Sequence, residues 1–246
     1  MAWFRLPARR DFLIVLGLVL ASILSAFQLG AIKIRWAERR PQLKAEVVKL
    51  PPPRLKGEVS VEEAIARRRS RREYRNEPLE LWEVSQLLWA SQGITKPSVG
   101  FRAAPSAGAT YPLELYLASG GNGVRGLKAG IYHYNPKEHS LTLVRSGDFS
   151  REIYEAAVRQ EWVLKAPIRI VICAVFERTT SRYGDRGVRY VYMEAGHVGE
   201  NIYLQAEALG LSTVAIGAFY DDEVRRILGA PENHKPVYIY PVGRRV

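Results

Sequence analysis

From Gly196 to Phe219 the chain reads GHVGENIYLQAEALGLSTVAIGAF, and this segment narrows the choice of fold more than any other. Val191, Ala195, Val198, Ile202, Ala206 and Leu209 recur every three to four residues, which places them on one face of a helix. The spacing predicts a long helix from about Val188 to Leu209, stopped by Gly210. An apolar strand from Ser212 to Gly217 follows directly. The apolar stripe is either a core face or a dimer-packing face, and Gly196 and Gly199 are small enough to let another helix approach closely.

The remaining elements are shorter. Ser60 followed by Glu63 is a capping box, so a short helix starts there and runs into an arginine cluster. Leu81, Val84, Leu87 and Leu88 repeat at helical spacing up to Gly93. Leu113–Ala118, Gly130–Tyr134 and Leu141–Val144 are β-rich and separated by turn residues. A helix near Ser150 to Trp162, a strand at Ile168–Val175, a short helix from Asp221 or Asp222 and a strand at Val237–Val242 complete the pattern. Helices and strands do not alternate strictly, so the expected class is α+β with a central, mostly antiparallel sheet flanked by helices.

At 246 residues the chain has room for one catalytic domain plus an appendage. Phe12 to Ile32 is uncharged and rich in Leu, Ile, Val, Ala and Gly, which fits the roughly 20 residues of a transmembrane helix. A cleaved signal peptide is the rival, with a shorter apolar core and a small-residue cleavage site. The expected organisation is a membrane anchor with a basic flank at 1–45, a Pro-rich linker at 46–58 and a catalytic domain at 59–246. Lys33, Arg35, Arg39, Arg40 and Lys44 outweigh Arg5, Arg9 and Arg10 across the apolar run. That asymmetry leans toward a membrane-anchored protein with a cytoplasmic catalytic domain.

Lys and Arg number 36 against 25 Asp and Glu, a net charge of +11. Much of the excess is local, in the membrane flank and in Arg67, Arg68, Arg69, Arg71 and Arg72. A lipid surface and a phosphate site account for it. Nucleic acid is not an expected partner, because the basic residues are not interleaved with aromatics. The single cysteine, Cys173, excludes an internal disulfide, and His133, His139, His197 and His234 show no metal-ligand spacing, so no metal is expected.

Gly121, Gly123 and Gly126 spell G-x-G-x-x-G after a strand. A dinucleotide site needs a helix next, but another strand follows, so a glycine-rich hairpin loop is expected. Arg68, Arg69, Ser70 and Arg72 form R-R-S-x-R, in which guanidinium groups can grip a phosphate through charge-assisted hydrogen bonds and the serine adds a donor. A solvated basic turn is the plain alternative. Pro105, Ser106, Ala107 and Gly108 make a small-residue turn ahead of a strand, where backbone can approach a flat ring.

The Gly196–Phe219 segment, the arginine cluster from Arg67 to Tyr74 and the turn within Arg102–Leu117, with Tyr111-Pro112 and Glu114 after it, resemble the flavin-dependent nitroreductase family, specifically its SagB-type branch, over roughly residues 60–246. The resemblance implies a nitroreductase-like fold and a homodimer with FMN sites at the subunit interface. It implies that Arg68, Arg69, Ser70 and Arg72 hold the phosphate and ribityl chain, and that Pro105, Ser106, Ala107 and Gly108 lie on the isoalloxazine from the partner subunit. It also implies that backbone N–H groups around Ile216, Gly217 and Ala218 face flavin N5, where hydride is exchanged. Many family members carry a basic pair beyond the last glycine; here Pro241-Val242-Gly243 is followed by Arg244 and Arg245, which are expected to stand in for it.

The activity implied is FMN-dependent hydride transfer between a donor such as NAD(P)H and a small-molecule or peptide-azoline substrate. The SagB-type branch uses a Lys-Tyr pair in azoline oxidation, whereas this chain has Arg182-Tyr183. Arginine stays protonated and is a poor base, which weighs against azoline oxidation. Tyr183 is either an acid–base group or a surface aromatic. The alternative function is a membrane-tethered, non-catalytic module that binds flavin or peptide.

Overall fold

Ile168–Ala174, strand β7, is buried at every position. Its sequence IRIVICA has no alternating polar face, so both sides must be covered. In the computed structural model, which describes residues 46–246, β7 lies inside a seven-stranded sheet. The other strands are β1 (Val47–Lys49), β4 (Leu113–Ser119), β5 (Gly130–Asn135), β6 (Ser140–Ser146), β8 (Leu211–Thr213) and β9 (Lys235–Arg244). Their order is β1-β6-β5-β4-β7-β9-β8, and every neighbouring pair is antiparallel. A second, two-stranded sheet pairs β2 (Ile94–Lys96) with β3 (Phe101–Arg102).

Helices cover both faces. On one face α2 (Leu81–Gln92) and the long α6 (Arg186–Ala208) bury Val84, Leu87, Leu88, Val191, Ala195, Val198 and Ile202 against Leu113, Leu115, Leu117, Ile170 and Ile172. On the other, α3 (Ser150–Ala156), α4 (Glu161–Lys165) and α7 (Asp221–Leu228) bury Ile153, Val163, Val224 and Leu228 against Tyr116, Ala118, Val171 and Cys173. The alternation along β4, leucines to one side and Tyr116 and Ala118 to the other, separates these two cores. Truncating a fully buried residue such as Ile172 to Ala is expected to destabilise by about 2–5 kcal/mol.

The α+β class and the antiparallel sheet agree with the sequence reading, and α6 starts and ends within two residues of its expected bounds. Two elements differ. The single helix expected near Ser150 to Trp162 is broken into α3 and α4, because Val158 and Arg159 both take left-handed backbone (φ 56° and 54°). Residues 46–58, read as a linker, contribute β1, which pairs with β6, and a strap whose Pro51 carbonyl accepts from the Ser85 hydroxyl at 2.6 Å. The compact unit accordingly takes in these residues, ahead of the expected start at 59.

The membrane reading is also corrected. Among the described residues no helix is long and apolar enough to cross a membrane. The Phe12–Ile32 run lies outside the described residues. A membrane-anchored location, a cytoplasmic orientation and a lipid partner therefore have no support in the structure.

Candidate functional site

The arginine cluster begins where α1 (Val61–Arg67) ends. The capping box forms as expected, with Ser60 and Glu63 each bonding the other's backbone N–H. Beyond α1 the chain runs beside the C-terminal end of α6, held by a bond from the Arg71 N–H to the Thr213 carbonyl at 2.9 Å. Here the Tyr203 hydroxyl lies 2.8 Å from Ser70 Oγ and accepts the Ala215 N–H at 2.8 Å. Arg68 stacks over the Tyr203 ring at 5.0 Å and approaches Glu200 at 3.7 Å. Two predicted segments, R-R-S-x-R and the stretch after β8, thus meet at one phenol.

Arg69 and Arg72 are exposed. Arg69 donates to the carbonyls of Ala66 and Arg68, and Arg72 stacks over Trp162 at 5.1 Å. Among the described residues neither guanidinium pairs with a carboxylate. Helix α4, which carries Trp162, is tied down by the buried Arg169, which donates to the carbonyls of Val163 and Leu164 and to Ser150 Oγ, each at 2.7 Å. Burial lowers the Arg169 pKa to about 10 against the opposing pull of Asp148 and Tyr74. Beside Arg72, Trp162 Nε1 and the Tyr74 hydroxyl are buried with no hydrogen-bond partner. Unpaired cations next to orphaned donors form a surface ready for an anionic, oxygen-rich ligand.

Along Ala215–Ala218 the N–H groups divide. Ala215 donates to Tyr203 and Ile216 to the Ile239 carbonyl, whereas the exposed Gly217 and Ala218 N–H groups find no acceptor among the described residues. Gln160 fixes this loop from outside through a bond to the Ala218 carbonyl at 3.0 Å.

Arg244 and Arg245 are engaged elsewhere. Arg244 binds the buried Glu83 through two bonds of 3.0 and 2.9 Å, and Arg245 donates to the buried Glu207 at 2.7 Å, which Arg71 also approaches at 3.2 Å. Their charge neutralises two carboxylates of the fold. The expectation that they replace a C-terminal phosphate grip is corrected on this ground.

A second cluster sits at the N-terminal end of α6. Gly108, Ala109 and Tyr111 all have positive φ (59°, 53° and 45°), and for a bulky residue such as Tyr111 that conformation is strained. Polar contacts hold it. Ser106 Oγ accepts the Tyr111 N–H at 2.9 Å, the Tyr111 hydroxyl accepts the Arg102 N–H at 3.2 Å, and Arg102 stacks on its ring at 4.5 Å. Arg178, from α5 (Glu177–Tyr183), donates to the Tyr111 carbonyl at 3.0 Å and pairs with Glu114, which also bonds His133 at 2.7 Å. Burial pushes the Glu114 carboxyl up, but His133 and Arg178 outweigh it and hold its pKa down at about 2.

Arg182 and Tyr183 lie against this turn. Arg182 donates to the Gly108 carbonyl at 3.1 Å, and a Cβ at Gly108 would come within 2.5 Å of the Tyr183 hydroxyl. Pro105–Gly108 and Arg182–Tyr183, far apart in sequence, are thereby brought together. Beneath them the buried Glu194 of α6 has its pKa raised by burial, against the hydrogen bonds of Ser106 and Gln92 and the charge of Arg102.

The two clusters do not meet within one chain. At about 1.5 Å rise per residue, Arg186 and Tyr203 stand ~25 Å apart along α6. Between them α6 exposes Tyr192, Met193 and Gly196, with open space over Gly196. Gly199 faces inward under the Tyr240 hydroxyl, so of the two glycines Gly196 is the one open to a second helix. Sequence reasoning missed Tyr203, because an aromatic within an apolar stripe reads as core, and Trp162 and Tyr74, whose buried polar atoms are evident only once the fold brings their segments together.

The sequence profile described as the Nitroreductase family matches residues 65–244. The chain belongs to the nitroreductase family. This nitroreductase-family oxidoreductase is 47% identical over 189 residues to a nitroreductase-named protein of Methanocaldococcus jannaschii, covering 77% of the chain and 93% of that protein. It is 27% identical over 154 residues to the microcin B17-processing protein McbC of Escherichia coli, spanning 61% of the chain and 56% of McbC. A crystal structure of a nitroreductase-named protein from Ralstonia eutropha superposes with a TM-score of 0.71 at 29% identity, over 81% of this chain and 90% of that one.

Proposed function

We propose that this nitroreductase-family protein is an FMN-dependent oxidoreductase of the SagB type, with each flavin held between two copies of the chain. The observation that carries the reading is the division of the site. The basic grip and the free N–H pair lie at one end of α6, and the small-residue turn with Arg182 and Tyr183 lies at the other. A two-fold dimer with antiparallel α6 helices brings unlike ends together. The surface formed by the exposed Tyr192, Met193 and Gly196 supports that packing.

In this arrangement Arg68, Arg69 and Arg72 bind the FMN phosphate and ribityl chain, with Ser70 as a further donor. Bound FMN supplies hydride acceptance and donation. The free N–H groups of Gly217 and Ala218 would serve as fixed dipoles for the charge that develops on the flavin. Pro105–Gly108 of the second copy would cover the ring and exclude water, and the positive φ of Gly108 would let the chain approach closely. Arg182 orients the turn through the Gly108 carbonyl, which leaves the Tyr183 hydroxyl as the group that hands a proton to or from the substrate.

The donor is NAD(P)H, and the acceptor is a small electrophile or a peptide azoline. The resemblance to a peptide-processing protein supports the azoline class, while the absence of a lysine before Tyr183 favours the small electrophile. Purified chain reconstituted with FMN and titrated anaerobically with NADPH and NADH tests the reading. A bound flavin spectrum that bleaches is expected. Folded protein that binds no flavin would refute it.

A further inference from the structure

Tyr203 occupies a position that the proposed chemistry does not itself require. It is buried within α6 to 9% exposure, yet its hydroxyl joins two segments that the sequence separates widely, Ser70 and Ala215, each at 2.8 Å. Its ring packs edge-on against Tyr240 at 5.7 Å and carries Arg68 on its other side. These contacts fix the ring, so the hydroxyl has little freedom to turn away.

A phenol has one proton and two lone pairs. The Ala215 N–H takes one lone pair. The remaining bond, to Ser70, can run in either sense when nothing else touches the serine. An ionised phosphate oxygen accepts and does not donate, so such an oxygen beside Ser70 makes that serine a donor and leaves its own oxygen to accept from Tyr203. The chain of donors then has one direction, from the Tyr203 hydroxyl to the Ser70 hydroxyl to the phosphate. A hydroxyl that donates is also the stronger acceptor, so the same event tightens the bond from the Ala215 N–H.

We infer that Tyr203 is a positioning residue that couples occupancy of the phosphate grip to the order of residues 215–218, where the free N–H groups of Gly217 and Ala218 stand. The inference rests on the reading of this cleft as the FMN site. Filling the grip thereby stiffens the loop that faces the reactive end of the ring, and the site becomes fully ordered only around a phosphorylated flavin. Riboflavin, which lacks the phosphate, would leave the loop loose. Among the described residues no other side-chain atom hydrogen-bonds to both segments.

The test compares wild type, Tyr203→Phe and Ser70→Ala by amide hydrogen exchange, with and without inorganic phosphate, and by FMN and riboflavin affinity from flavin fluorescence quenching. In wild type, phosphate is expected to slow exchange at Ala215 through Ala218, and both variants are expected to lose that response. Tyr203→Phe is expected to weaken FMN binding about 5- to 10-fold, the range of one neutral hydrogen bond, and to narrow the preference for FMN over riboflavin. Should Tyr203→Phe fail to fold, Ser70→Ala breaks the same chain from an exposed position.

Wild type that binds FMN while phosphate leaves residues 215–218 unprotected would overturn the coupling and leave the FMN reading standing. Variants that keep the phosphate response would do the same. Wild type that binds no FMN would remove both.

Discussion

The C-terminal end of α6 is closed by paired charge, whereas its N-terminal end is held by a strained turn, and the two are suited to different tasks. At the first, Glu207 and Glu83 are buried beneath Arg71, Arg244 and Arg245, and the uncommitted arginines Arg69 and Arg72 stand above them. At the second, Gly108, Ala109 and Tyr111 are forced into left-handed backbone and stabilised from Arg102, Ser106 and Arg178. The comparison separates arginines that hold the fold from arginines left for a ligand. In the proposed dimer the two ends are the unlike halves of one site, each drawn from a different copy of the chain.

The largest effect expected from breaking this contrast is on stability at the closed end. Arg244→Ala leaves Glu83 buried without its partner, and a loss of about 3–5 kcal/mol is expected in urea unfolding. FMN affinity of the folded fraction should hardly change. The reverse is expected for Arg69→Ala with Arg72→Ala, which touches exposed, unpaired side chains. Flavin titration should show affinity falling about 100-fold or more, as the loss of two charge-assisted bonds implies, with little change in unfolding.

At the strained end, Gly108→Val combines a positive φ with a Cβ that would meet Tyr183 and Arg182. Cost to the fold should be about 1–3 kcal/mol, and flavin binding should weaken because the turn is displaced. The acid limb of stability gives a smaller and sharper test. Glu114, held at about 2, contributes stability that is fully present above its ordinary value near 4.5 and is lost as pH falls toward 2. Glu114→Gln should flatten that limb of a pH-dependent unfolding curve.

Glu194 has the opposite sign. Its pKa is raised by burial, so the protonated form suits the fold, and stability declines as pH rises through the raised value. Glu194→Gln should leave stability below the ordinary carboxyl value of 4.5 unchanged and flatten the decline above it, the smallest change of the set.

How much of this was legible in the sequence follows from the range of each interaction. The α6 stripe, the Ser60–Glu63 box and the apolar β7 are local patterns, and each forms where its spacing places it. The break between α3 and α4 carries no glycine or proline, since Val158 and Arg159 make the turn, so no local signal marked it. The partners of Arg244 and Arg245 lie in α2 and α6, and a basic pair at a strand end looks the same whether it meets a phosphate or a buried carboxylate. Tyr203 was hidden for a related reason: its position in the helix announced packing, and the two bonds made by its hydroxyl depend on segments that only the fold brings near.

A mixed-variant experiment tests the central claim, that each site draws its grip from one chain and its turn from another. Arg69→Ala/Arg72→Ala protein and Gly108→Val protein, each defective in flavin binding alone, are unfolded together, refolded and titrated with FMN. If the site spans two chains, a hetero-pair holds one site with both halves intact, and random pairing restores about a quarter of wild-type occupancy. If the mixture binds no more FMN than the separate variants, the site lies within one chain and the account is wrong.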